Sequence, residues 1–481
     1  MNNARNRIAN SDLFQKVEKI PRSIKEDRYA CTTIIDPGLV WLDGKGSRII
    51  VLDKGQRRSL IDSSAGVSTK NLGYGNERIK KVIRQVLLKQ KDVFGYPHHD
   101  MENDYALDLA WVLSELTPIK AEREVVFANS GTEGIEATIK LCCNAGAKSS
   151  GQSRRRKDFI ACYGAFHGRT LGALSLTCSK PVQRENYPVN AFTNYHIHFP
   201  AKHPFFVYDD WGDIQYVDYT PNEYIEEVKR ACRKGKIDID SVNAVVFELI
   251  QGEGGVNVAS REALQDLVGF FKSHGIYIVI DEIQTGLGRT GKLFAFEHFN
   301  IDPDVVVLSK SLAHGFPFSA VIYDSKLGWT EKGQQSSTFS GSPLGSAIAL
   351  EVLSQLLSQN LPQRAYDLGE RVLGPALRTM AQDYSEVIHN VRGMGLMHGI
   401  EFWNPHTRKP ARLFRNEVIL QARKRGVLFL DAGISAIRIT PPLTIDSNGE
   451  GQHKRGNELG AIIDVLTESI RATRRKMKRI Q

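Results

Sequence analysis

IYIVID at residues 276–281 and DVVVLSK at residues 304–310 are runs of β-branched and aliphatic side chains, closed by Asp281 in the first and Lys310 in the second. A strand with one face in water alternates polar and apolar residues, whereas an unbroken apolar run describes a strand covered on both faces. Runs of the same kind are VVFA (125–128), DFIACY (158–163), AVVFELI (244–250) and FSAVIY (318–323), with helix-like segments among them. Strands alternating with helices predict an α/β fold on a mainly parallel sheet with helices on both faces.

Asp281 and Lys310 then stand at the ends of neighbouring buried strands, which is the pair that pyridoxal 5′-phosphate (PLP) requires. A lysine amine attaches to the cofactor's aldehyde, and a carboxylate keeps the pyridine nitrogen protonated so that the ring draws electrons from the substrate carbon. The amine must be neutral to attack, and a desolvated site beside a cationic ring lowers its pKa. Freed by substrate, it can then shuttle a proton. A surface lysine is the plainer alternative, disfavoured by the apolar run before it.

Seven motifs occur in order: NSGTEGIEATIK (129–140), YGAFHGRT (163–170), FELIQGEGG (247–255), DEIQTGLGRTG (281–291), LSKSLAHGFP (308–317), SSTFSGSP (336–343) and IRITPPL (437–443). At this point the chain resembles the class III aminotransferases, PLP enzymes of fold type I. The resemblance implies a large PLP-binding domain over 76–340 and a smaller α/β domain over 341–481, with residues 1–75 packing against the latter.

Ser130, Gly131 and Thr132 precede an amphipathic helix. Free amides of a first turn together with hydroxyls suit the cofactor phosphate, an ordinary helix cap being the alternative. Phe166 and His167 follow the DFIACY strand; Phe166 resembles the family's ring-stacking position, against a core role for either residue. Glu248 falls in a buried-looking strand and is assigned to the cofactor site, as is Gln284, whose position bonds the phenolic oxygen in the family.

On the substrate side, Arg169 matches the position that grips the distal carboxylate in 4-aminobutyrate aminotransferases, a task suited to a guanidinium fork. Glu253 matches the family's switch glutamate, with Arg438 as its arginine. Thr338 resembles the threonine that reaches the neighbouring subunit's cofactor, which implies at least a homodimer. Departures concern the pocket: Val67 replaces a bulkier aliphatic residue, Tyr74 a frequent histidine, and Ser311 to Gly315, with His314, a glycine-rich stretch. Extra bulk near Lys310 is expected to narrow the pocket.

Composition excludes other classes. With 41% hydrophobic content over 481 residues the chain can bury a large core, and its longest apolar runs are too short to span a bilayer. The start, MNNARNRIANSDLFQKVEKI, has no apolar signal core, so a soluble cytoplasmic protein is expected. Six cysteines (Cys31, Cys142, Cys143, Cys162, Cys178, Cys232) lack CxxC spacing, which favours free thiols over a disulfide framework or a metal site. The net charge of +9 comes largely from SRRRK (153–157) and RATRRKMKRI (471–480); without a recognition motif these read as solvated surface rather than a nucleic-acid partner.

The expected reaction moves an amino group from an ω-amino acid, of the 4-aminobutyrate or ornithine type, to 2-oxoglutarate in two half-reactions. A racemase or epimerase on the same scaffold is the nearest rival, because it needs the same lysine and electron sink. A catalytically silent cofactor-binding or nucleic-acid-binding protein is the distant one.

Overall fold

The computed structural model describes residues 39–89, 103–149, 156–188, 192–447 and 457–477. Cys31, Arg154, Arg155, the end of the basic tail and residues 1–38 of the expected amino-terminal segment lie outside them. The described residues open with β1 (Leu39–Lys45), β2 (Arg48–Asp53) and β3 (Gln56–Asp62). Leu39–Leu42 and Val51–Arg58, parts of these strands, make a small unit containing the 2.6 Å ion pair of Arg58 with Asp53; the remaining described residues form a second unit. Sequence pattern assigns no strand here, because charges at Asp43, Lys45, Arg57 and Arg58 interrupt the apolar period.

The second unit is built on β4 (Arg123–Ala128), α1 (Gly131–Ser149), β5 (Asp158–Cys162), β6 (Asn194–Ile197), β7 (Val242–Phe247), α2 (Arg261–Ser273), β8 (Tyr277–Asp281), β9 (Val305–Leu308) and β10 (Ser319–Asp324). The strands form one seven-stranded sheet in the order β4-β10-β9-β8-β7-β5-β6. Neighbours from β9 to β6 pair in parallel, and β10 runs antiparallel to both β9 and β4. All six expected strands are present; β6, with the polar sequence NYHI at the sheet edge, is additional.

Burial explains the missing alternation. Val245, Phe247, Ile278, Ile280, Val306 and Leu308 pack in one core with Leu264, Leu267 and Phe271 of α2. Their chain neighbours Ala244, Val246, Val279, Val305 and Val307 pack in another with Ile135, Ile139 and Cys142 of α1. Successive strand residues point to opposite faces, so a helix layer on each face demands an apolar residue at every position. Each large side chain buried this way contributes roughly 1.5–3 kcal/mol.

After α3 (Pro343–Ser358) come β11 (Ile388–Met394), β12 (Met397–Phe402), α4 (Arg412–Lys424), β13 (Val427–Leu428), β14 (Leu430–Ala432), β15 (Ala436–Ile439) and α5 (Glu458–Met477). RGMGLMHGIEF, one strand pattern in the sequence, folds as a hairpin: Met394 pairs with Met397, and Gly395 turns the chain at φ +53°. The sheet is antiparallel in the order β11-β12-β15-β14, and β12 opposite β15 sets Arg438 across from Gly399. β13 pairs in parallel with β3, Ile61 to Val427 and Asp62 to Leu428. Among the described residues no helix is long and apolar enough to cross a membrane.

Candidate active site

Parallel strands end on one side of their sheet, and register decides which residues meet there. Phe247 pairs with Ile280 and Asp281 with Val307, so Glu248, Asp281 and Lys310 leave β7, β8 and β9 side by side. The segment after β5 adds Phe166, His167 and Arg169, and the first turn of α1 adds Gly131 and Thr132, with Ser130 just before it. Together with Glu253, Ile283, Gln284, Gly168 and Ser309 they line a cavity of about 310 Å³.

Glycine lets two of these segments meet. Gly168 has φ +142°, and a Cβ there would stand 2.0 Å from Thr132 Oγ1. The next amide, of Arg169, donates to that same hydroxyl at 3.2 Å. Lys310 itself is left-handed at φ +42°, a backbone that costs a side-chain-bearing residue roughly 1–2 kcal/mol. Ser309 holds this turn: its Oγ donates to the Phe318 carbonyl at 2.8 Å, and its own carbonyl accepts from Leu312 N at 2.8 Å.

Charges in the cavity perturb one another. Burial and the Arg438 guanidinium pull the Lys310 amine down to about 8, against the opposing pull of Glu253, Asp281 and Glu248. Burial pushes Glu248 up to about 7, even though its two oxygens accept from Phe166 N (3.0 Å) and Gly252 N (3.1 Å). Burial would raise Glu253 too, but Arg438, Lys180 and Lys310 hold it down at about 2. Arg438 Nη2 lies 2.9 Å from Glu253 Oε1, and its Nη1 donates to Gln284 Oε1 at 3.1 Å.

Arg289, which sequence reading passed over, helps to place Arg438. Fully buried, it donates to the carbonyls of Leu396 (2.9 Å) and Pro441 (2.5 Å) and to Asn71 Oδ1, tying the 281–291 turn to the residues just after β15. Burial lowers its pKa to about 9.

Residues 39–453 match the family described as aminotransferase class-III. The chain is a class III aminotransferase. Solved structures carry the same fold: the ornithine aminotransferase of Toxoplasma gondii (24% identity, TM-score 0.77, 97% of this chain and 99% of that one) and a transaminase from the marine bacterium Virgibacillus (20%, 0.80, 95% and 100%). The ω-transaminase of Pseudomonas jessenii, solved with PMP, is 22% identical at TM-score 0.79 over 94% of this chain and 98% of that one. Class III aminotransferases depend on PLP, and this one is a PLP-dependent enzyme. Its residues fit the group: Gln284 Nε2 is buried without an acceptor among the described residues while Oε1 is engaged by Arg438, which leaves a donor for a ligand oxygen at the cavity.

Not every expected residue of this aminotransferase lines the cavity. Val67 is 41% exposed in a left-handed turn (φ +59°) and Thr338 is exposed in an ordinary turn, both outside the cavity lining. Tyr74 donates to Asp62 Oδ2 at 2.7 Å. The expected narrowing by residues 311–315 is not seen: Leu312 and Ala313 turn into the core, and His314 is buried with its carbonyl accepting from Lys70 Nζ at 2.6 Å. Burial and then Lys70 lower the His314 imidazole to about 4. Ile283 and Ser309 line the cavity without having been singled out; both lie inside quoted motifs, close to Asp281 and Lys310, which was the available signal. Elsewhere, Cys178, His196 and Asp210 cluster within 4.8 Å of one another, but Arg184 Nη1 stands 3.3 Å from the thiol and 3.5 Å from Asp210 Oδ1, where a cation would have to displace it.

Proposed function

We propose that the enzyme transfers an amino group from an ω-amino acid of the 4-aminobutyrate or ornithine type to 2-oxoglutarate, in two half-reactions. The observation that carries this reading is the 2.9 Å pair of Arg438 with Glu253 at the cavity. An ω-amino donor has no carboxylate on the reacting carbon, whereas glutamate and 2-oxoglutarate have one there. An arginine neutralised by a mobile carboxylate serves both: paired, it offers no free charge to the amine's carbon; released, it forms a bidentate seat for the α-carboxylate. Arg169 is exposed beside Phe166, its guanidinium 5.8 Å from the ring centroid, and is placed to meet a distal carboxylate.

Bound PLP supplies an electron sink for the carbon that loses the proton. Ser130, Gly131 and Thr132 would hold its phosphate at the start of α1, Phe166 and Ile283 would enclose its ring, Asp281 would pair with the ring nitrogen and Gln284 would donate to the phenolic oxygen. Lys310 Nζ would hold the cofactor's aldehyde, and as a free amine it would take up and return the proton at the donor carbon. His167 orients Asp281, and Glu248 ties the Phe166 loop to the Gly252 turn.

We also assign residues 76–340 to the large domain, 341–481 to the small one and 1–75 to a segment accompanying the latter. Thr338 of each chain serves the other's cofactor in a homodimer, and the free thiols Cys142, Cys143, Cys162, Cys178 and Cys232 support a cytoplasmic setting. The decisive experiment offers the holoenzyme a panel of amino donors with 2-oxoglutarate, following glutamate formation and the chirality of each donor. Glutamate formed from 4-aminobutyrate or ornithine is expected. Inversion of a donor with no need for the oxo acid would replace this reading with a racemase.

A further inference from the structure

Glu253 faces two cations. Arg438 Nη2 is 2.9 Å from its Oε1, and Lys180 Nζ lies 3.6 Å from its Oε2. Lys180 Nζ is in turn 3.3 Å from Asp431 Oδ2, the oxygen that stands 3.5 Å from Arg415 Nη1. Arg438, Glu253, Lys180, Asp431 and Arg415 thus alternate in sign along a continuous row. The two arginines at its ends are buried, each side chain 3% exposed, whereas Lys180 and Glu253 are 25% and 24% exposed and free to adjust. A bond from Gly433 N to the Glu253 carbonyl (2.7 Å) keeps the backbones of the two carboxylates in step.

A carboxylate that leaves Arg438 remains half-buried and needs another cation, since an unpaired charge there would resist the movement. Lys180 is already within reach at a distance longer than a hydrogen bond, and its flexible stem allows Nζ to close on Oε2. We propose that Lys180 is a positioning residue of the charge switch: it receives Glu253 when Arg438 is given to a dicarboxylate substrate, and Asp431, by sharing the ammonium, limits how strongly it does so. The inference rests on the switch reading of Glu253 and Arg438 and adds the partner that reading lacks.

The test uses holoenzyme carrying Lys180→Met, Lys180→Arg, Asp431→Asn, Glu253→Gln and the double variant Lys180→Met/Glu253→Gln. Two readouts are taken: single-turnover kinetics of each half-reaction, and the Kd of glutarate, a dicarboxylate without a reacting group. Lys180→Met is expected to weaken glutarate and to slow the glutamate and 2-oxoglutarate half-reaction about fivefold more than the ω-amino half-reaction. Lys180→Arg should restore the balance, and Asp431→Asn should shift it the opposite way. In the Glu253→Gln background the preference of Lys180→Met should vanish, because its target is gone. Equal losses in both half-reactions for Lys180→Met, or a preference that persists beside Glu253→Gln, would overturn the proposal, the latter by showing direct attraction of the substrate. If Lys180→Met does not fold, the sign of the Asp431→Asn shift decides. Glu253→Gln alone without half-reaction preference removes the switch itself; a selective Glu253→Gln with an unselective Lys180→Met removes only Lys180.

Discussion

Asp281 Oδ2 lies 2.8 Å from His167 Nδ1, with the side chains 4% and 0% exposed. Burial pulls the imidazole down, but the hydrogen bond and charge of Asp281, with Glu248 behind them, hold it above its ordinary value. Asp281 Oδ1 meanwhile accepts from Ile283 N at 3.0 Å. Anchored from both sides, the carboxylate cannot rotate away from the cavity. In the proposed cofactor site, that fixed direction would let one charge keep the ring nitrogen protonated.

Asp281→Asn should therefore still bind PLP but lose activity by about a hundredfold or more, because a neutral amide does not hold a pyridinium. The same change removes the main charge that sustains His167 and leaves burial opposed chiefly by Glu248, so the imidazole pKa should fall. Activity assays and histidine NMR titration check the two effects. Near-normal turnover would take Asp281 out of its role.

Lys310→Ala should abolish the covalent yellow chromophore while the fold persists, because alanine carries the same Cβ and meets the φ of +42° at the cost the lysine already bears. Borohydride reduction followed by peptide mapping locates the pyridoxyl group. Its recovery on another lysine would move the site.

The lowered pKa of Lys310, to about 8, has a pH signature. A depressed lysine is protonated below its folded pKa and neutral above it, so only the high-pH form attacks the aldehyde. Reconstitution of the apoenzyme with PLP should accelerate as pH rises from 6 and level off above about 8, about two units sooner than for an unperturbed lysine. Stopped-flow absorbance across that range measures it, and a rate still climbing at pH 10 would contradict the depressed value.

Glu253→Ala is expected to impair the ω-amino half-reaction more than the glutamate half-reaction, whereas Arg438→Ala should mainly harm glutamate and 2-oxoglutarate, by roughly 2–5 kcal/mol of transition-state binding. Glu253 is held near a pKa of about 2, so its carboxylate stays charged throughout the neutral range and the asymmetry should not depend on pH there. Single-turnover measurements of each half-reaction at pH 6 and 8 test both statements.

Thr338→Ala should weaken PLP retention without altering the isolated cavity, because Thr338 does not line the cavity of its own chain. Dialysis of the holoenzyme beside a sedimentation measurement separates the outcomes. Unchanged retention in a stable dimer would argue against a shared site.

Much of this was legible in sequence because it is local. Unbroken apolar runs at 276–280 and 305–308 dictate strands covered on both faces, since burial on each side forbids a polar residue at any position, and the turn after each run announces Asp281 and Lys310. The glycine at 168 and the helix start at 130–132 are likewise written in neighbouring residues. The edge strand Asn194–Ile197 and the hairpin of 388–402 were hidden, one by its polar composition and the other because a run that reverses at Gly395 looks like a single strand. The pairing of Arg438 with Glu253, 185 residues apart, was implied only by the family resemblance, and only tertiary structure decided that Lys180 and Asp431 extend the row and that His314 turns into the packing instead of the cavity. Side-chain period reports burial along one element, whereas contacts between charges depend on how separate elements are registered against each other, and no local pattern encodes that distance.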